Sequence, residues 1–263
     1  MSKTLGLALG AGGSRGVAHV GFLRALEEEG IRPDFIAGSS MGAVVGASYA
    51  KGLTPDEMQE VLSRLRAGDI MDIGFPTLGM LGLMRWTKAR RLITKHLSEC
   101  DFSDLKIPFC CVAVDICKGK LHVFKEGSVV DAILASSSIP TVFRPVEKDG
   151  MMLVDGGVLC RVPARQVKHM GADVVVAVDV LGPCPETEKI PNLIALVTRV
   201  YDIMDSHRTS DERRRNRRCF DLWLTPDIGD LSQYTIKYSE EAIEAGYKAG
   251  KENAEKIRRL LED

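Results

Sequence analysis

The sequence lacks the features that mark several large classes of protein. No run of about 18 apolar residues occurs among its 263 residues, so the sequence predicts no membrane-spanning helix. The seven cysteines are odd in number and include no C-x-x-C pair, which predicts neither a disulfide framework nor a zinc site. We therefore expect a cytoplasmic protein without a structural metal.

A strong charge of either sign is also lacking. The formal net charge of -1 gives no overall attraction to nucleic acid or to an anionic membrane, so any such attraction needs a local patch. Residues Arg213–Arg218, RRRNRR, form one such patch. The pattern predicts a solvated, charged helix end, and contact with phospholipid headgroups or an acidic partner is the alternative. We expect no nucleic-acid partner.

Short apolar segments alternate with segments of helical periodicity along the chain, which predicts a single α/β domain with a mostly parallel sheet. The apolar N-terminus is short, broken by glycine and followed by Arg15, so it predicts a first strand rather than a signal peptide. Strands are predicted at 4–9, 34–38, 108–116, 121–124, 151–154, 172–180 and 220–224. Helices are predicted at 17–30, 41–51, from 54, and at 87–99, 129–137, 161–170, 192–215 and 240–261.

A glycine-rich loop, GAGGSRG, joins the first predicted strand to the first helix. Such loops direct unpaired backbone N–H groups at one point, where they bind an anion. Walker A requires Gly-Lys-Ser/Thr, which is absent, and the dinucleotide fingerprint requires a glycine where Arg15 stands. The oxyanion of acyl transfer therefore fits this loop best. We expect Arg15 to orient the loop through nearby carbonyls, with a phosphate contact as the alternative.

The second predicted strand ends in G-x-S-x-G, formed by Gly38, Ser40 and Gly42. With a strand before it and a helix after it, this pattern is typical of a nucleophile elbow. Side chains at the two glycines would collide with neighbouring backbone at so sharp a bend. We therefore predict that Ser40 is an exposed nucleophile near the glycine loop, at the edge of the sheet where sites form.

Asp155 ends another predicted strand and precedes Gly156 and Gly157. An acid in this position is either a turn former or a functional carboxylate, and the sequence leaves both open. A Ser-Asp-His esterase would need His169 or His207, which follow Asp155 in the chain, as its base.

The segment Phe75–Trp86, FPTLGMLGLMRW, combines large apolar residues with glycines and has no charge before Arg85. It is consistent with a core segment, and also with a mobile lid or a loop that contacts lipid. The sequence leaves these alternatives open. It therefore also leaves open whether the protein makes peripheral contact with the inner face of the membrane.

Five motifs occur together and in order. They are GGSRG at Gly12–Gly16, GSSMG around Ser40, ASSSIP at Ala135–Pro140, FRP at Phe143–Pro145 and DGG at Asp155. Taken together, they resemble the patatin-like phospholipase family, especially its small bacterial members. The resemblance covers residues 5 to about 182, and a helical extension follows over about 183–263. Two positions depart from the family pattern: Ala11 replaces a glycine, and Cys160-Arg161 replace asparagines.

This resemblance implies a three-layer α/β/α fold with a mostly parallel central sheet. It implies a hydrolase of phospholipid or lysophospholipid esters in which Ser40 is the nucleophile and Asp155 the only base, with no cofactor. The oxyanion hole is assigned to Gly12, Gly13, Ser14 and Arg15, and the supporting glycines are Gly10, Gly16, Gly38, Gly42, Gly156 and Gly157. Because an ordinary carboxylate is a weak base, we predict that Asp155 is buried and hydrogen-bonded to Ser40. A non-catalytic protein that binds acyl lipid on the same fold is the alternative.

Overall fold

The structure is a computed structural model and describes residues 3–70, 72, 82–234 and 239–262. Short and mostly apolar segments form its strands. These are β1 (Leu5–Leu9), β2 (Phe35–Ser39), β3 (Gly82–Met84), β4 (Phe109–Asp115), β5 (Lys120–Phe124), β6 (Thr141–Phe143), β7 (Val146–Lys148), β8 (Met151–Asp155), β9 (Val174–Val178) and β10 (Leu222–Leu224).

The segments of helical periodicity form the helices. These are α1 (Ala18–Glu28), α2 (Met41–Lys51), α3 (Pro55–Arg64), α4 (Ala67–Ile70), α5 (Thr87–Leu97), α6 (Val129–Ser136), α7 (Ala164–His169), α8 (Leu193–Arg215) and α9 (Glu240–Glu262). Helix α3 begins with a capping box in which Thr54 and Glu57 satisfy each other's backbone N–H groups. Among the described residues, no helix combines the length and apolar character needed to cross a bilayer.

The main sheet has the strand order β10-β9-β1-β2-β4-β8-β7, and β5 pairs with the other edge of β4. The strands from β10 to β4 are parallel, whereas β5, β7 and β8 are antiparallel to their neighbours. The second, small sheet pairs β3 with β6. The predicted α/β/α fold with a mostly parallel sheet is therefore confirmed.

Helices cover both faces of this sheet, because successive side chains of a strand point to opposite faces. Leu5, Leu7 and Leu9 of β1 enter the larger core with residues from α1, α2, α6 and α9. Ala8 of the same strand enters the smaller core with Ala164 and Val167 of α7. The parallel strands are therefore buried on both faces and read as continuous apolar runs.

The structure corrects the start of one predicted helix and adds a short strand, β7, to the predicted sheet. The helix predicted from residue 161 begins only at Ala164, because Arg161 is buried and its backbone carbonyl accepts a hydrogen bond from Ala11. Strand β7 was not predicted, since it is only three residues long and carries Glu147 and Lys148. It forms a hairpin with β8 across the predicted turn at Asp149-Gly150, where both residues have positive φ.

Of the segment Phe75–Trp86, residues 75–81 lie outside the described residues. Its last part forms β3, and Trp86 stacks on Phe143 with ring centroids 4.1 Å apart. The Trp86 indole N–H also lies within hydrogen-bond distance of Ser138 Oγ and of the Arg144 carbonyl oxygen. The C-terminal end of the segment is therefore held against β6 and its neighbours.

Candidate active site

Ser40 occupies the sharp turn between β2 and α2, with φ 53° and ψ -123°. A non-glycine residue rarely adopts a positive φ, and such strain is common at functional sites. A Cβ at Gly38 would lie 2.4 Å from Ala43 Cα, and a Cβ at Gly42 would lie 2.2 Å from the Leu9 carbonyl oxygen. The turn therefore requires glycine on both sides of Ser40, as the G-x-S-x-G pattern predicts.

Asp155 reaches Ser40 because two strands end head to head on one edge of β4. Strand β2 runs parallel to β4 and ends with Ser39 opposite Val112. Strand β8 runs antiparallel and ends with Asp155 opposite Ala113, the next residue of β4. The chain after β2 and the chain after β8 consequently meet at one point within the sheet.

At this junction the Ser40 hydroxyl donates a hydrogen bond to Asp155 Oδ2, with 2.5 Å between the oxygens. The other carboxylate oxygen, Oδ1, accepts from the Gly157 N–H at 2.7 Å. Ser40 and Asp155 are each only 4% exposed. Burial raises the pKa of Asp155 to about 7, although the hydrogen bonds from Ser40 and Gly157 oppose this rise. The carboxyl group thus has the basicity of a histidine.

The glycine loop lies beside Ser40 and presents two free amides. Among the described residues, the N–H groups of Gly12 and Gly13 have no hydrogen-bond acceptor, whereas those of Gly10 and Ala11 donate to Val178 and Arg161. Buried or partly buried amides are normally paired. Two adjacent unpaired N–H groups therefore form a ready site for an oxyanion.

Two of the residues that were assigned to the oxyanion hole, Ser14 and Arg15, have backbone N–H groups that already donate hydrogen bonds. The Ser14 N–H donates to the Gln233 carbonyl, and the Arg15 N–H donates to the Gly12 carbonyl. Neither amide is free to bind a substrate oxygen. The Arg15 guanidinium donates to the carbonyls of Val180, Gly229 and Leu231, so these contacts favour the orienting role over a phosphate contact.

Close packing explains the other glycines of the motifs. A Cβ at Gly13, whose φ is +52°, would lie 2.0 Å from the Gln233 carbonyl oxygen. A Cβ at any of the remaining motif glycines would likewise lie within 3.0 Å of a neighbouring atom, at Gly10, Gly12, Gly16, Gly156 and Gly157. The residues around 233 thus cover the loop, which the sequence did not predict.

His19 supports the glycine loop from below. It is fully buried, and burial lowers its pKa to about 4, so the ring is neutral at pH 7. Its Nε2 lies 2.8 Å from the Gly10 carbonyl oxygen, and because a carbonyl only accepts, Nε2 carries the proton.

His169 and His207 form no hydrogen bond with Ser40 or Asp155 in the described part of the chain. The structure therefore does not assemble a Ser-Asp-His triad.

An apolar cavity of about 320 Å³ extends from Ser40 and Gly13. The apolar faces of α3 and α5 form much of its wall, and Trp86, Ile139 and Phe143 contribute as well. The apolar residues from these two helices are Met58, Val61, Leu62, Ala89, Leu92, Ile93 and Leu97. Their helical periodicity predicted buried faces, but periodicity does not distinguish a packed core from the wall of a cavity.

A second cavity of about 30 Å³ also adjoins Ser40 and has room for a water molecule. Asp155, Gly12, Gly13 and Tyr201 line it together with Ser40. Ser40, Asp155, Gly12 and Gly13 therefore border one small space.

Behind Asp155 lies a buried ionic network. Arg161 donates to Asp179 at 2.9 Å and to Asp205 at 2.8 Å, and all three side chains are at least nine-tenths buried. Asp205 also pairs with Arg208, which donates to the Gly157 carbonyl at 2.7 Å. Arg161, which departs from the family pattern, thus connects the Asp155 loop to α8. No local pattern predicts these contacts, since their residues lie far apart in the chain.

In residues 3–70, 72, 82–234 and 239–262, no three His, Cys, Asp or Glu side chains are grouped so that they could hold a metal ion.

Comparison with known proteins gives one family. The family model described as patatin-like phospholipase matches residues 7–168. An uncharacterized NTE family protein of Mycobacterium tuberculosis is 37% identical over 198 residues, which are 74% of this chain and 54% of the relative. The chain thus spans about half the length of the mycobacterial relatives it matches. Lysophospholipase nte1 of Aspergillus fumigatus is 28% identical over 97% of this chain and 18% of its own length.

Solved structures share the fold. VipD from Legionella pneumophila superposes with a TM-score of 0.62 over 99% of this chain and 67% of its own, at 14% identity. ExoU from Pseudomonas aeruginosa, in complex with SpcU, gives 0.52 over 100% of this chain and 53% of its own, at 13% identity.

Proposed function

The chain belongs to the patatin-like phospholipase family, and from this premise we propose that it is a serine acyl hydrolase. It cleaves carboxylic ester bonds of phospholipids or lysophospholipids through Ser40 and Asp155. One observation carries the proposal: the Ser40 hydroxyl donates to a buried carboxylate, 2.5 Å away, at the wall of an apolar cavity. A carboxylate whose pKa is about 7 has the basicity that general base catalysis needs at neutral pH.

In the first step, Ser40 Oγ attacks the ester carbonyl carbon while its proton moves to Asp155 Oδ2. The π electrons of the carbonyl move to its oxygen, which the N–H groups of Gly12 and Gly13 stabilise. Each such donor contributes about 3 kcal/mol to the transition state. When the tetrahedral intermediate collapses, the bond to the leaving alcohol breaks and Asp155 returns the proton to that oxygen. The product is an acyl enzyme on Ser40.

Water then completes the cycle. The small cavity beside Ser40 has room for a water molecule next to Asp155. Asp155 takes a proton from this water as the water attacks the acyl carbonyl. Collapse of the second intermediate releases the fatty acid and returns the proton to Ser40 Oγ. All steps use groups of this chain and water.

The larger cavity supports an acyl-chain substrate. Its wall is mostly apolar, and the removal of apolar area from water therefore favours a hydrocarbon chain over a polar ligand. The name of Lysophospholipase nte1 of Aspergillus fumigatus supports the inclusion of single-chain lipids among the substrates.

Labelling with a fluorophosphonate tests the nucleophile. We expect the wild type to be labelled and to hydrolyse a nitrophenyl ester and a lysophospholipid, and Ser40→Ala to lose both properties. Ser63→Ala, which removes an exposed hydroxyl on α3, is the matched control and keeps them. Folded wild type that is not labelled and hydrolyses none of these esters would support the non-catalytic alternative and refute this proposal.

Replacing the candidate bases tests the dyad. Asp155→Asn keeps the size of the side chain but cannot accept the proton, and a general base typically contributes 10²–10⁴-fold. We expect a loss of about that size, with His169→Ala and His207→Ala remaining active. Loss of activity at one of the histidines, with Asp155→Asn still active, would instead establish the Ser-Asp-His alternative.

A further inference from the structure

Helix α8 exposes a continuous apolar surface, which we name the α8 outer face. It consists of the exposed side chains of Leu193, Leu196, Val197, Val200, Ile203 and Met204. Their spacing of three and four residues places them on one side of the helix over about 16 Å. Leu193 is 73% exposed and Met204 is 66% exposed. An apolar patch of this kind marks an interaction site more often than an isolated exposed side chain does.

The inner side of the same helix is polar, which reverses the usual arrangement of a surface helix. Asp205 pairs with Arg161 and Arg208 there, and Asp202 accepts hydrogen bonds from Gln233 and Tyr234. These polar contacts hold α8 against the rest of the protein. The apolar side chains of the α8 outer face therefore need a different partner.

Positive charge lies on the same side of the helix. Counted at 3.6 residues per turn, Arg214 and Arg215 lie within about 60° of Leu193 around the axis. Their side chains are 78% and 81% exposed, and both approach Asp211. Beyond them, Arg217 and Arg218 are exposed as well. Apolar side chains beside exposed arginines suit an anionic membrane interface, because burial of apolar area and attraction of cations to anionic headgroups both favour binding.

We propose that the α8 outer face binds the surface of an anionic phospholipid bilayer. The apolar side chains enter the boundary between headgroups and acyl chains, and Arg214 and Arg215 contact the phosphate groups. This inference rests on the proposed function, because the substrates of that function lie in such a surface. Under this proposal, the arginine cluster at Arg213–Arg218 contacts phospholipid headgroups, which the sequence analysis named as one of its alternatives.

The position of α8 connects this surface to the site. Gln233 and Tyr234, which Asp202 of α8 holds, line both cavities beside Ser40. Only α8 therefore separates a bilayer bound to the α8 outer face from Gln233 and Tyr234, which line the apolar cavity beside Ser40. The exposed arginines at one end of the α8 outer face are complementary in charge to the headgroups of an anionic bilayer.

Co-sedimentation of the full chain with vesicles tests the proposal. We use vesicles of phosphatidylcholine with phosphatidylglycerol, and Ser40→Ala as the parent, so that binding is measured without hydrolysis. We expect the parent to bind, and the double variant Leu193→Glu/Met204→Glu to bind at least about tenfold more weakly, since it places two carboxylates in the interface. The control Ile116→Glu/Val123→Glu adds the same charge at two exposed apolar residues outside α8 and binds like the parent.

A second variant keeps the apolar surface and removes charge. Arg214→Gln/Arg215→Gln should lose about fivefold per arginine on the anionic vesicles, and the loss should shrink at high salt and on pure phosphatidylcholine. Both positions are exposed, so the fold should be retained, which melting temperatures check.

Three results would overturn the proposal. The first is a parent that does not bind the vesicles at low salt. The second is equal binding by the parent and both α8 variants. The third is a dimer in solution that Leu193→Glu/Met204→Glu converts to a monomer, which would assign the face to a second copy. Because binding is measured on Ser40→Ala, none of these results bears on whether Ser40 hydrolyses esters.

Discussion

The pH dependence of acylation tests the chemistry most directly, because burial raises the pKa of Asp155 to about 7 from a usual value near 4. A difference of about three in pKa corresponds to about 4 kcal/mol between the protonated and ionised forms. The base is active only when ionised. We therefore expect kcat/KM for a soluble nitrophenyl ester to be constant above about pH 8 and to fall tenfold per pH unit well below pH 7.

The same carboxyl group should make stability depend on pH, with a definite sign. Between about pH 4 and 7 the folded protein binds a proton at Asp155 that the unfolded chain has released. This contribution to the free energy of unfolding is therefore fully present below pH 4 and is lost as the pH rises through 7. Its full size is about 4 kcal/mol.

Urea denaturation of wild type and Asp155→Asn across this range measures the contribution. The variant cannot ionise at position 155, so its stability relative to wild type should increase as the pH rises from 4 to 8. Asp149→Asn is the matched control, since it removes a carboxylate from an exposed turn and should leave the pH profile of activity unchanged. A kcat/KM that is constant from about pH 5 to 9, together with parallel stability curves for wild type and Asp155→Asn, would refute the reasoning.

Three further predictions concern the contacts around the site. Gly13→Ala should lower kcat by about 10²-fold in the ester assay, because its Cβ would meet the Gln233 carbonyl oxygen at 2.0 Å and displace an oxyanion donor; an unchanged kcat would contradict the assignment. Leu92→Trp should fill part of the apolar cavity beside Ser40, so the ratio of kcat/KM for long-chain over short-chain nitrophenyl esters should fall. An equal loss of kcat/KM on both esters would contradict the proposal that this cavity binds the acyl chain. Arg161→Ala should cost about 3–5 kcal/mol in urea denaturation, since Asp179 would stay buried without its cationic partner and Asp205 would keep only Arg208; a loss below about 1 kcal/mol would contradict this.

Local sequence predicted the elements that carry the site. The residues around Ser40 predict the strand, the glycine turn and the helix, because the bend tolerates only glycine at positions 38 and 42. Helix α2 extends from Met41 to Lys51, as its small apolar residues predict. The capping box at Thr54 likewise fixes the start of α3. These features depend on neighbours in the chain, so a single sequence contains them.

The features that the sequence did not predict depend on contacts between residues far apart in the chain. Nothing near Ser14 shows that its amide is already bonded to Gln233, more than two hundred residues away. Arg161 was predicted to start a helix, yet that helix begins only at Ala164, and Arg161 instead pairs with Asp179 and Asp205. The apolar faces of α3 and α5 read as core, and only the fold shows that a cavity lies between them. Local patterns specify elements, and tertiary contacts decide how these are used.

The junction of β2 and β8 supports the proposal that one carboxylate acts as the base without a histidine. A strand end at the rim of a sheet is open to water, which would keep the pKa of an aspartate near 4. Asp155 instead ends an antiparallel strand that meets β2 along β4, inside the sheet. The site therefore gains its basicity from a position that costs stability, since the folded protein must bury a charge whenever Asp155 is ionised. Moving the carboxylate toward solvent would relieve that cost and remove the base in the same step.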